Sequence, residues 1–286
     1  MLLLLIVLLT RCAGAEGLEA RWQSLGAGAE WTRYADQDPA LFQDAEGWTR
    51  SLFGSAGAGS RWLAAAGFSD QRIRQASWSF RSLKRSLWLS RALTPNWGVE
   101  ALGASLSTSM EWPVLGGRRV GTEEGWNLGG GLTWCPRPTD APLTLNVRLQ
   151  KMEQAYPSVP ARATAAELNL ARQTGSGRQR LGLLASRAGG DLKLAGLARA
   201  AASRGRLDLQ ASALVGHQTN WFDVERLVLH DGVMELKTSL SAGLGWRAWR
   251  GLSLEASAGW EKVTGSESRW LFLGARWTRR SWATAP

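Results

Sequence analysis

The sequence predicts an all-β chain: one antiparallel sheet of about fourteen strands, closed up-and-down into a transmembrane β-barrel, with twelve strands as the alternative count. Three observations predict it. Almost every stretch between turn signals alternates apolar and polar residues, which sorts side chains onto the two faces of a sheet. The best-formed stretches run about nine to eleven residues and end in an aromatic, the pattern of a membrane-crossing strand. The composition holds 33 Gly and 17 Trp but 2 Tyr and 2 His, and Trp is enriched where an element meets the membrane–water boundary.

The chain opens on Met1 and an unbroken apolar run from Leu2 to Leu9, then Thr10, Arg11, Cys12 and the small triplet Ala13-Gly14-Ala15. This reads as a signal peptide, residues 1–15, cut after Ala15. The run is too short to span a bilayer as a helix, and no later segment reaches spanning length. A lipoprotein reading would place the lipid on Cys12, but Arg11 stands where such signals need a small residue. Without the leader Cys135 is the remaining cysteine, so no intramolecular disulfide is expected. A sheet closed in a bilayer supplies stability instead.

The elements follow in order, all read from the sequence. In 20–34, Leu25, Ala27, Ala29 and Trp31 alternate with Gly26, Gly28, Glu30 and Thr32. Strands near 47–55 and 60–68 are joined by a turn at Ser55-Ala56-Gly57-Ala58-Gly59. The strand within 75–91 alternates poorly: Trp78 and Phe80 share one face, Leu87 and Leu89 the other, and a bulge would reconcile them. Thr94-Pro95-Asn96 is a turn. A strand from Trp97 to about Ser107 contains Glu100, and a long loop with Pro113, Gly116-Gly117 and Glu123-Glu124 follows. In 126–134, Trp126, Leu128, Gly130, Leu132 and Trp134 share a face, with Trp at both ends as two aromatic girdles require. Cys135-Pro136-Arg137-Pro138 is a turn.

Leu143, Leu145, Val147 and Leu149 then alternate with Thr144, Asn146, Arg148 and Gln150. Ala166, Leu168 and Leu170 oppose Glu167 and Asn169, and Leu181 and Leu183 oppose Arg180 and Gly182. Leu192 and Leu194 oppose Lys193, with Arg199 on that polar face, and Leu207 and Leu209 oppose Asp208 and Gln210. A long loop, 218–233, precedes three closing strands. Their outward sets are Met234, Leu236, Leu240, Ala242, Leu244 and Trp246; Leu252, Leu254, Ala256, Ala258 and Trp260; and Leu271, Leu273, Ala275 and Trp277. Longer links alternate with tight ones, the asymmetry of long outer loops and short periplasmic turns.

These features resemble bacterial outer-membrane β-barrel proteins over nearly all of residues 16–280, leaving 281–286 as a short tail. The resemblance implies residence in the bacterial outer membrane with outer-membrane lipid as a partner. Members of that class often end on an aromatic that insertion machinery reads; here Thr278 to Pro286 follow Trp277. A soluble sandwich or lipocalin-like barrel would turn the apolar face inward. Two features favour the membrane form: Trp at strand ends, and a Gly- and Ser-rich polar face with charges of both signs.

With the apolar face to lipid, the lumen receives Glu100, Arg148, Glu167, Arg180, Lys193, Arg199, Asp208, Glu235, Lys237 and Glu255, beside Glu30, Arg247 and Glu261. Opposite charges on neighbouring strands stabilise a sheet, whereas charged rings sort solutes in a pore. Lys193, Arg199, Asp208, Glu235, Lys237 and Glu255 are expected to pair and occlude part of the lumen. Trp126, Trp134, Trp246, Trp260 and Trp277 are the expected membrane-interface aromatics. The net charge of +10 reads as solvated arginine at loop ends, or as attraction to anionic headgroups.

Gly216-His217-Gln218-Thr219-Asn220 resembles the His-x-Ser-Asn element of outer-membrane phospholipase A and of lipid A deacylases. That implies His217 as base and Thr219 as nucleophile, with Thr in place of Ser and no third residue to orient the imidazole. His217, Asp223, His230 and Asp231 share a loop but lack metal-ligand spacing. Gly129-Gly130-Gly131 lacks the strand–loop–helix setting of a phosphate loop. The basic residues form no nucleic-acid module. No cofactor, no metal and no nucleic acid is expected, and the chain reads as no enzyme. The expected role is a structural or assembly subunit of an envelope-spanning export or surface-motility complex, with protein partners in the cell envelope. The alternatives are a small porin-like channel for ions or small solutes, and a lipid hydrolase using His217 and Thr219.

Overall fold

The computed structural model describes residues 20–36, 45–58, 61–75, 78–114, 117–136, 142–155, 160–188, 190–218, 221–223, 228–230, 236–263 and 266–282. The expected leader, Thr219, Glu235 and residues 283–286 lie outside them. Among the described residues no helix forms; every element is a strand. They are β1 (Ala20–Asp36), β2 (Glu46–Ala58), β3 (Trp62–Arg74), β4 (Ser79–Ala92), β5 (Trp97–Val114), β6 (Gly117–Trp134), β7 (Leu143–Ala155) and β8 (Pro160–Thr174). There follow β9 (Gly177–Ala188), β10 (Asp191–Arg204), β11 (Leu207–Gln218), β12 (Trp221–Asp223), β13 (Val228–His230), β14 (Leu236–Trp249), β15 (Leu252–Val263) and β16 (Ser266–Trp282). Fourteen of them close into one antiparallel up-and-down barrel, with β1 beside β16 and β11 beside β14; β12 and β13 form a separate hairpin.

The barrel is inside-out relative to a soluble protein. Leu149, Leu183 and Leu192 are 63%, 65% and 68% exposed, while Asn127, Glu167 and Arg180 are 0%, 2% and 4% exposed. A wall of bare leucine around a polar interior is stable only where lipid covers it. The hydrogen-bond ladder closes on itself, so no strand in the wall leaves its backbone groups to hydrocarbon.

Five sequence expectations are corrected. Ser55 to Ala58 belong to β2, and the link to β3 comes after them. No bulge interrupts β4: its register to β3 and β5 is continuous. Its alternation is obscured because Arg81 and Arg85 take positions on the Leu87–Leu89 face. The expected loop after Ser107 is strand, with β5 and β6 paired out to Val114↔Gly117. Leu236 faces the lumen at 5% exposure, because the register shifts at Lys237 and reverses the face. The last strand runs on to Trp282.

The loop after β11 holds a sixth correction. A bulge between Val215 and Gln218, with Gly216 at a φ of 125°, redirects the chain at the rim. The hairpin β12–β13 then turns into the barrel, and Phe222 is completely buried there.

Candidate functional site: an ion-pair belt and a lumenal hairpin

The interior site is built from alternate residues of β4 to β10. Register sets its main contact: Arg148 on β7 stands directly opposite Glu167 on β8. Glu100 on β5 and Arg148 flank Gly131 on the intervening β6. A methyl group at Gly131 would collide with the Glu100 carboxylate and lie 2.9 Å from Arg148 Cγ. The bare glycine therefore lets two charges meet across a strand that lies between them.

Arg148 holds Glu100 through Nε and, at 3.2 Å, through Nη2; its Nη1 reaches Glu167 at 3.3 Å. Arg180 pairs with the other Glu167 oxygen and donates from Nε to Asn169 at 2.8 Å. Asn146 and Trp88 donate to Glu100 at 3.1 and 2.8 Å. The belt thus alternates in sign along Glu100, Arg148, Glu167 and Arg180, and neutral donors complete it. Charges this buried persist only when paired and hydrogen-bonded throughout.

Arg199 on β10 lies directly opposite Arg180, a like-charge neighbour. The hairpin supplies the compensating carboxylate: Asp223 takes Arg199 in a two-pronged pair. Phe222 packs into an apolar cluster with Leu102, Leu106, Met152 and Ala163, flanked by Trp88 and Ala188. Gln150 on β7 donates to the Phe222 carbonyl at 3.1 Å and accepts from its N–H at 3.0 Å. One lumenal side chain therefore satisfies both backbone groups of the hairpin residue, as a neighbouring strand would.

The other residues singled out in the sequence lie as follows. Lys193, Asp208 and Glu255 project inward, and Lys237 occupies the β14 bulge. Of the 193–255 set, Glu235 lies outside the described residues; Arg199 pairs with Asp223, Asp208 with Arg247 at 3.2 Å, and Glu255 with Arg276 at 3.1 Å. Trp134, Trp246 and Trp277 are 40–47% exposed on the outer wall. Trp134 lies 6.2 Å from Trp97, Lys151 sits over Trp126 at 5.6 Å, and Trp260 donates to Glu267 at 3.3 Å. His217 is exposed at the rim, beside residues outside the described set. Asp223 is engaged by Arg199, and among the described residues no three metal-ligating side chains gather. Gln150 and Phe222 carried no signal, since a polar strand residue and a loop aromatic are common; only the hairpin's placement joins them.

No protein-family model and no curated protein matches the sequence. Solved structures do match. The TodX monoaromatic hydrocarbon channel, in a deltaS2S3 mutant form, is 12% identical over 94% of this chain and 92% of its own, with a TM-score of 0.56. The Ralstonia pickettii toluene transporter TbuX is 10% identical over 92% of this chain and 90% of its own, at 0.54. A Pseudomonas aeruginosa FadL homologue is 12% identical over 93% of this chain and 91% of its own, at 0.54. The fold is that of a bacterial outer-membrane β-barrel. The shared feature is the closed wall; at these identities the likeness carries the fold and leaves the interior to be read from its own side chains.

Proposed function

We propose that this outer-membrane barrel is a porin-like channel for small solutes, held closed by its own hairpin. The docking of Phe222 and Asp223 carries the reading. The barrel wall is complete without the hairpin, yet the lumen offers it an apolar seat, a glutamine that mimics a strand, and an arginine. Two hydrogen bonds at about 1 kcal/mol each, one buried aromatic at roughly 2–3 kcal/mol and the Arg199–Asp223 pair hold the hairpin in the lumen, so the closed state is the resting one and release is infrequent. The architecture shared with hydrocarbon and toluene channels supports the same reading. The test is planar-bilayer recording of the intact protein against a variant with residues 219–235 replaced by a short Gly-Ser turn. The intact barrel opens briefly and seldom, and the variant conducts steadily.

One observation favours the second reading, a subunit of an envelope assembly. The β5–β6 ribbon runs past its neighbours: β4 pairs β5 only to Glu111, and β7 pairs β6 only to Glu124. Beyond that, among the described residues, the two strands pair only each other and offer a partner open sheet edges. A barrel that stays silent after hairpin replacement, and co-purifies with envelope proteins through the ribbon, would replace the channel by this reading.

A further inference from the structure

The two sides of the lumen differ. On β5 to β9 the inward residues are sealed: Leu102, Met152, Glu167 and Leu184 are all buried. On β15, β16 and β1 the inward face stays half-exposed, from Gly259 and Glu261 through Trp270 and Phe272 to Gly28 and Glu30. Phe222 of the hairpin packs into the first side; the second faces the lumen.

Three aromatic rings line this second side, and each lies on a glycine of a neighbouring strand. Trp270 takes the space that a side chain at Gly259 would fill, Phe272 the space at Gly28 and Gly274, and Phe53 the space at Gly26. Register sets two of these contacts: Trp270 stands directly opposite Gly259, and Phe53 opposite Gly26. Bare backbone beneath lets a ring lie along the wall and turn its other side to the lumen.

The ring nearest the short-turn end is already engaged. The Arg276 guanidinium sits over Phe53, 5.2 Å from the ring centre, and Glu255 holds that guanidinium at 3.1 Å. Ring, cation and carboxylate form a complete set. The two rings nearer the long-loop end have carboxylates beside them. Glu261 follows Gly259 by two residues on β15, and Glu30 follows Gly28 by two on β1, so each Gly-x-Glu puts its carboxylate on the lumenal face roughly 7 Å of strand beyond the glycine. Hydroxyls orient them: Ser239 donates to Glu261 at 3.3 Å and Thr32 to Glu30 at 3.2 Å. Among the described residues no side-chain cation lies over Trp270 or Phe272, and Glu261 joins no ion pair.

We propose that these two rings and two carboxylates are a lumenal binding site for a small organic cation, an ammonium carried on an aliphatic body. The electron-rich faces of Trp270 and Phe272 attract its charge and its methyl groups, and Glu261 and Glu30 supply the counter-charge, as Phe53 and Glu255 do for Arg276. A plain hydrocarbon would take water from both carboxylates and return nothing, whereas a hydrated inorganic ion gains little from the rings. Transport of such a cation rests on the channel reading above; its binding does not.

The test is equilibrium dialysis of radiolabelled choline against the full chain in dodecyl maltoside, with the uncharged isostere, in which carbon replaces the nitrogen, as competitor. Wild type binds choline saturably, and the isostere competes about tenfold more weakly. Glu261→Gln and Phe272→Leu each weaken binding by about tenfold, while Glu153→Gln on the outer wall leaves it unchanged. Competition by the isostere equal to that of unlabelled choline would overturn the proposal, as would displacement by equimolar potassium chloride. A Phe272→Leu barrel that unfolds earlier yet binds like wild type would mark a ring that only covers its glycine, and overturn it too. Steady current through the hairpin-replaced barrel with no choline bound to either form would remove the site and leave the channel. Choline bound to a hairpin-replaced barrel that stays silent would keep the site and remove the channel.

Discussion

At the residue scale the decisive contact is the carboxylate of Glu167, shared by Arg148 and Arg180 deep in the wall. Substituting Glu167→Gln leaves two buried guanidinium groups short of their counter-charge. The expected loss is about 3–5 kcal/mol, read from denaturant unfolding of the folded barrel in detergent. Gly131→Ala tests the same belt from the backbone side: the added methyl must displace Glu100 or Arg148, at about 1–3 kcal/mol. Gly196→Ala, whose methyl would meet nothing nearer than 3.9 Å, should change stability by no more than about 0.5 kcal/mol. Period two alone puts Glu100, Arg148 and Glu167 on one side of their strands. It does not say which carboxylate meets which arginine, because that depends on the stagger of three successive hairpins. Asp208 illustrates this: its partner is Arg247 on β14, the next strand of the wall but three strands on in the chain, because β12 and β13 leave the wall.

At the scale of the element the hairpin governs. Gln150→Ala removes both hydrogen bonds to the Phe222 backbone, about 2 kcal/mol together. That shifts a closed-to-open equilibrium by roughly thirtyfold, a change that single-channel open probability would register; an unchanged open probability would separate the hairpin from gating. Nothing local in the stretch 218–233 announces its destination. Its aromatic and acidic residues read equally well as loop polarity, and what draws them inward is a seat assembled from β5, β7, β8 and β10, distant in the chain. The extension of β5 and β6 was hidden for a different reason. Beyond the bilayer neither face must be apolar, so the alternation that marks a spanning strand disappears while the ladder continues.

Across the whole molecule the sidedness of the sheet is the property that the sequence displayed best. Strand number, closure and the outward face follow from alternation repeated around the wall, and errors at single turns leave them intact. Leu183 and Leu184 test the sidedness directly, since one is 65% and its neighbour 1% exposed. Leu183→Arg, near the middle of β9, should destabilise the barrel in lipid vesicles by about 2–4 kcal/mol, with a smaller effect in detergent. Equal effects in the two media would mean that this face does not meet hydrocarbon.

The rim ribbon gives β6 two lives in one strand. From Gly125 to Trp134 it is paired on both sides within the closed wall; from Gly117 to Glu123, among the described residues, only β5 pairs with it. Amide protons in the first part should outlast those in the second by orders of magnitude in deuterated buffer, because opening a two-stranded ribbon disturbs nothing else. Pro113, on the other margin of that ribbon, presents no donor at all. The barrel therefore carries its own clock: a slow half that reports on the wall, and a fast half that slows only when something settles against the tip.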